Sequence, residues 1–249
     1  MQDQPAPREK PPPESKRRAW GNALAITLLG LLVGGLGCFV LLGSYLLRRI
    51  EAQQLTLFQA GAWWEVGFGA GMVLIVGVIL AWLRARGLTP ADLGWGRPTT
   101  PLALVLAVLL GAAFLGWNYM AAGRLLTSVN VTDVNWVRVA LVPLGIFLGA
   151  AEETMMRGFF MTELQRARVS TWLQILASGA CSASYHTLQS PTLMAALMAF
   201  VASFVLFSIH AGLYVLGKRS LTPVVLAHSI YHVFGEPYLL MLVLAVMRR

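Results

Sequence analysis

Charge is scarce in this sequence. Only 12% of its 249 residues are Asp, Glu, Lys or Arg, about half the share of an ordinary soluble domain. There are two cysteines, Cys38 and Cys181, both inside apolar stretches. That excludes a disulfide framework and any paired-cysteine metal motif, and leaves buried free thiols. No internal repeat is visible, which argues against a transporter built from inverted repeats. What fills the chain instead is apolar residues, 57% of the total and gathered in long blocks, the pattern of membrane-spanning helices rather than of a soluble core.

The net charge of +8 does not point to nucleic acid, because the basic residues stand at the ends of the apolar blocks, where the positive-inside rule places them. Residues 1–18 are polar and rich in proline, with Pro11-Pro12-Pro13 and a basic end at Lys16-Arg17-Arg18. They are expected to form a disordered cytoplasmic tail. Residues 19–249 are expected to form one all-α polytopic bundle of about eight spans, near 20–47, 63–84, 101–123, 136–160, 170–187, 192–217, 221–234 and 236–247. The last two are short enough to be one broken helix, a re-entrant pair or two tilted helices shielded by neighbours. With the N-terminus inside, fourteen Lys and Arg residues lie on the inner side, and Arg48, Arg49, Arg124 and Arg138 on the outer side. This places both termini in the cytoplasm. The Gly30/Gly34 and Gly67/Gly71 pairs have the spacing that lets helices pack closely within one chain.

Against this apolar background the polar residues of the later spans stand out. Glu152 and Glu153 are adjacent, with Arg157 one turn on. Carboxylates in a membrane helix face protein or a water-filled cavity and by default mark a functional site. Glu153 and Arg157 stand at i and i+4, in the order that favours an ion pair, so Glu153–Arg157 is read as structural. Glu152 lies about 100° around the helix, without such a partner, and is read as the reactive carboxylate, a general base. All four histidines fall in the later spans. His228 and His232, again at i and i+4, turn their rings to one side of the seventh span. Such a pair can donate hydrogen bonds to a developing oxyanion, or ligate zinc together with Glu152. Taken alone, His186 reads as interfacial, and His210, with no motif around it, as a hydrogen-bonded packing residue.

Glu152-Glu153-x-x-x-Arg157, then His186 in the next span, then His228 after Gly217-Lys218-Arg219-Ser220-Leu221-Thr222-Pro223, resembles the CAAX protease and bacteriocin-processing family, also called the ABI family. Its pattern is EExxxR, FxxxH and Hxxx followed by Asn or Asp. The upstream segment 86–95 is similar as well, so the likeness covers about residues 85–234. The resemblance implies a glutamate-dependent intramembrane endopeptidase without a metal cofactor. Glu152 and His186 would activate water, and His228 and His232 would hold the oxyanion. The substrate would be a membrane-associated peptide or protein, lipidated or not, and the membrane the inner membrane of a bacterium or the endoplasmic reticulum of a eukaryote. Two positions depart from the pattern: Ser182 stands where it has phenylalanine, and His232 where it has Asn or Asp. His232 keeps open a zinc-dependent peptidase or a non-catalytic scaffold or immunity-type protein of the same fold; a proton-coupled transporter is a further alternative.

Depth along the helices conflicts with this set. With the spans above, Glu152 lies about 12 Å from the inner end of its helix and His186 about 24 Å from the start of its own. The two would not meet unless span five began later or residues 169–176 lay inside a cytoplasmic vestibule. Reporter fusions at both ends test the topology: both are expected to report cytoplasm, and an outward-facing C-terminus would remove the even-span arrangement.

Overall fold

The computed structural model describes residues 15–125, 136–188 and 193–232. Among them every regular element is helical. Helix α1 spans Lys16–Glu51 and α2 Leu57–Ala85. A short 3-10 turn, Pro90–Leu93, precedes α3, Pro101–Leu125. Helix α4 is α-helical over Trp136–Glu153, widens into a π-type turn over Thr154–Phe160 and finishes as α-helix over Met161–Arg166. Helices α5, Thr171–Thr187, and α6, Leu193–Leu216, follow, and α7 covers 222–232. The eighth expected span lies outside the described residues. The first helix begins at Lys16, with the Ser15 hydroxyl accepting from the Arg18 backbone N–H. The basic triplet therefore forms the first turn of α1 rather than the end of the tail.

Among the described residues, four helices are long and apolar enough to cross a membrane: Lys16–Glu51, Gln59–Ala85, Val139–Arg166 and Ala196–Leu216. Pro101–Trp117 is a shorter apolar helix. Leu, Val and Trp side chains such as Leu74, Leu109, Trp117 and Leu197 are more than half exposed. In a soluble protein such a surface would be an aggregation hazard; on a polytopic bundle it faces lipid. Helix α5 has a different character. Gln174, Ser178, Ser182 and Tyr185, at i, i+4, i+8 and i+11, are all buried, so a polar stripe turns inward against α4. The chain is a polytopic all-α membrane protein.

Close backbone approach sets the packing. A Cβ on Gly34 would meet Phe68, one on Gly67 would meet Leu42, and one on Gly71 would meet Val33 and Cys38, so these three glycines serve the α1–α2 contact, while Gly30 faces Met155 of α4. Cys38 is buried, Cys181 half-buried, and both thiols are free. Helix α7 is held between Gly111 of α3, which faces the Ala227 carbonyl, and Gly149 of α4, where an added Cβ would come within 3.1 Å of Ser229 N. Gly149 stands one turn before Glu152 and Glu153, so this contact delivers His228 to the glutamates.

Two loops distant in sequence close the base of this arrangement. Leu221 N donates to Gly94 O (3.1 Å), Ser220 Oγ to Arg97 O (2.9 Å), and Tyr214 Oη to Leu93 O (3.2 Å). Leu93 and Leu221 both rest on Gly158. Partial burial would raise the Asp92 carboxyl, but hydrogen bonds from Thr89 N and Oγ1, with Arg166 and Arg97 nearby, hold it below its ordinary value. Gly94 has φ +109°, and a Cβ there would fall on the Arg219 carbonyl oxygen. Gly94→Ala is expected to lower stability by at least about 1–3 kcal/mol from backbone strain alone. Thermal unfolding in detergent checks this; an unchanged melting temperature would mean the loop pair does not support the bundle.

Candidate functional site

The π-type turn of α4 begins directly after the two glutamates, at the kind of position where such turns often mark functional sites. Glu153 is fully buried and Arg157 is 1% exposed. Arg157 Nε lies 3.2 Å from Glu153 Oε2, the i,i+4 pair expected from the spacing. The guanidinium also donates to the Phe207 carbonyl (2.7 Å) and to Ser182 Oγ (3.4 Å), and it lies over the Phe207 ring at 5.1 Å. Ser182, the departure from the phenylalanine pattern, is thus a polar contact of Arg157 and not only a change in packing.

The other oxygen of Glu153 receives two histidines. His228 Nδ1 is 2.7 Å and His210 Nδ1 2.9 Å from Glu153 Oε1. A carboxylate paired with Arg157 has only acceptors to offer, so both rings place a proton on Nδ1. A neutral His228 then turns a bare Nε2 toward Glu152, whose Oε2 lies 3.8 Å away. Sequence reasoning gave His210 a hydrogen-bonded packing role without locating its partner, which is Glu153 itself. The signal for it was one titratable residue in an otherwise apolar span.

Glu152 is 2% exposed and does have a partner. Tyr185 Oη donates to its Oε2 at 2.6 Å. Tyr185 was not singled out in the sequence, although the polar stripe of α5 contains it. His186 follows it in the chain and stacks on Phe207 at 5.0 Å. That ring also packs against His210 and His228, at 6.0 and 6.1 Å. His232 is buried, its ring 4.5 Å from that of His228. Glu152, His228 and His232 bring one ligand atom each to within 4.8 Å of one another, and so do Glu153, His210 and His228.

The depth conflict is resolved in span four, not in span five. Helix α5 starts at Thr171, as expected, and Tyr185 stands about 21 Å along it. Helix α4 does not stop near residue 160 but continues to Arg166, so Glu152 is also about 21 Å from its inner end. The two helices run antiparallel with matched register: Ser178 Oγ bonds to Met156 O, Ser182 to Arg157 and Tyr185 to Glu152. The extra turn and a half, 161–166, contains Glu163 and Arg166, and those charges made the span look shorter than it is. Glu163 is fully buried there, bound by Asn22 of α1 and by Arg166.

Chemically, the cluster offers a carboxylate oriented by a phenol, beside a histidine oriented by a second carboxylate, inside an apolar bundle. Comparison with known families places it. No curated protein and no solved structure matches the chain. Residues 134–234, which hold all of α4 to α7 named above, match the family model described as Rce1-like, type II CAAX prenyl endopeptidase. That family is a protease family of membrane proteins. The segment 134–234 is therefore an Rce1-like domain of the CAAX protease family.

Proposed function

We propose that the chain is an intramembrane endopeptidase in which Glu152 activates a water molecule to hydrolyse a peptide bond of a membrane-associated peptide or protein. The observation that carries this reading is the unequal partnering of the two glutamates. Glu153 is consumed by Arg157, His210 and His228. Glu152 accepts from the neutral phenol of Tyr185 instead of pairing with the guanidinium. Its Oε2 lies 3.8 Å from His228 Nε2.

In this mechanism Glu152 takes a proton from water as the oxygen attacks the scissile carbonyl. His186, beside Tyr185, helps to position that water. The oxyanion is held by N–H donors from His228 and His232. His228 donates from Nε2 in its doubly protonated form, with Glu153 against Nδ1. Glu152 then returns its proton to the leaving amine. No metal is needed for these steps. A CAAX-type substrate with a lipidated C-terminus follows from the family likeness alone; the cluster itself selects only a peptide bond brought to membrane depth. The termini face the cytoplasm, in the inner membrane of a bacterium or the endoplasmic reticulum of a eukaryote.

Exchange of the two glutamates separates their roles. Glu152→Gln is expected to abolish turnover while the protein still folds, because the amide keeps the size and can still accept from Tyr185. Glu153→Gln is expected to cost about 3–5 kcal/mol of stability, since it leaves Arg157 buried without a counter-charge. Turnover of membrane peptides and thermal unfolding of both variants are the measurements; wild-type turnover in Glu152→Gln would end this mechanism.

The His232 position tests the oxyanion assignment. Loss of one donor costs about 10²–10³ in turnover, and His232→Ala is expected in that range. His232→Asn restores an amide donor and is expected to keep most of the activity lost in His232→Ala. Equal activity of His232→Ala and wild type would remove His232 from the site.

A further inference from the structure

We propose that Glu152, His228 and His232 also form a binding site for a transition-metal ion of the zinc class, and that the bound ion blocks hydrolysis. The blocking rests on the hydrolytic reading given above; the binding does not.

The donor set is two imidazoles and one carboxylate, three ligand types that zinc accepts with an open fourth position. All three side chains are buried and their ligand atoms lie within 4.8 Å of one another. Zinc with bonds of 2.0–2.1 Å in tetrahedral geometry spaces its ligand atoms about 3.3 Å apart. His228 Nε2 and Glu152 Oε2, at 3.8 Å, need to close by only a few tenths of an ångström. His228 and His232 are one helical turn apart, with rings at 4.5 Å, so a small rotation of either aims both at one point.

The outer shell is already built. Metal-bound histidines characteristically give their other N–H to a carboxylate, which fixes the tautomer and aims the free nitrogen at the ion. Glu153 does this for His228, at 2.7 Å from Nδ1. Glu153 is itself fixed by Arg157 and His210. Two carboxylates against one guanidinium leave the centre one negative charge in excess when the histidines are neutral, which favours a cation. The alternative trio, Glu153, His210 and His228, lacks these advantages. Its shared oxygen already accepts from both rings, and an ion there would face Arg157.

Binding and turnover exclude each other on chemical grounds. A histidine whose Nε2 is a metal ligand has no proton on that nitrogen to give an oxyanion. A Glu152 oxygen bound to the ion cannot take a proton from water. The third ligand exists because the chain carries His232 where the resembled pattern has Asn or Asp.

The test uses the full-length protein, purified in detergent and stripped with a chelator. It is titrated with zinc by calorimetry and, separately, with cobalt(II) read by visible d–d absorption. A single ion per chain in a tetrahedral environment is expected. Loss of an outer-shell partner already weakens metal binding by about 10–100-fold, so His232→Asn and Glu152→Gln should each weaken it by at least that much. A variant with both cysteines changed to alanine should bind as wild type does. Zinc should inhibit turnover over the concentration range in which it binds, and His232→Asn should tolerate more zinc relative to its own activity. Absence of binding, or affinity unchanged in both ligand variants, would overturn the site. Zinc that raised turnover would overturn the blocking role. Variant-sensitive binding in a protein that hydrolyses nothing would support the site while removing the hydrolytic reading.

Discussion

A guanidinium buried among apolar helices is tolerable only beside a carboxylate, and the ion pair of Arg157 with Glu153 is the constraint on which this bundle depends. Each member of the pair reaches out of α4 to a different neighbour. Arg157 takes the Phe207 carbonyl of α6 and Ser182 of α5. Glu153 takes His210 of α6 and His228 of α7. Four helices are thereby oriented about one charge pair. Replacing a buried ion pair with apolar residues often costs little, whereas removing one member costs several kcal/mol. The pair is therefore better understood as fixing one arrangement of the helices than as adding net stability.

That arrangement gives the two neighbouring glutamates different partners. With Glu153 committed to Arg157, His210 and His228, the adjacent Glu152 accepts from a neutral phenol and faces the far nitrogen of His228. The two carboxylates are chemically identical and sit on the same turn, yet one is tied to a guanidinium and two histidines and the other accepts from a phenol. The small residues nearby serve the same end. Gly149 admits α7 against α4, and the paired loops 90–97 and 217–221 lock α7 from below, beside Gly158 and the π-type turn.

Much of this was legible in the sequence. The i,i+4 spacing of Glu153 and Arg157 predicts their ion pair, and the structure has it at 3.2 Å. The blocks of apolar residues predict an all-helical membrane bundle, and their limits agree with the observed helices within a few residues over most of the chain. The exceptions share a physical cause. Glu163 and Arg166 are charges inside a helix that continues past the apolar block, and hydropathy alone reads them as a loop. Tyr185 and His210 act through contacts with another helix, which periodicity within one helix does not reveal. For Tyr185 a clue existed in the polar stripe Gln174, Ser178, Ser182, since polar residues on one face of a membrane helix must turn toward protein. For His210 only its isolation in an apolar span set it apart.

Whether Glu152 acts through water or attacks the peptide itself is the question on which the proposed chemistry turns. A single turnover of a cleaved membrane peptide in water enriched in heavy oxygen answers it. If Glu152 activates water, the label enters the new carboxylate of the product and Glu152 stays unlabelled. Label found in the Glu152 side chain, with ordinary oxygen in the product, would identify a covalent acyl-enzyme and contradict the assignment of Glu152 as the base.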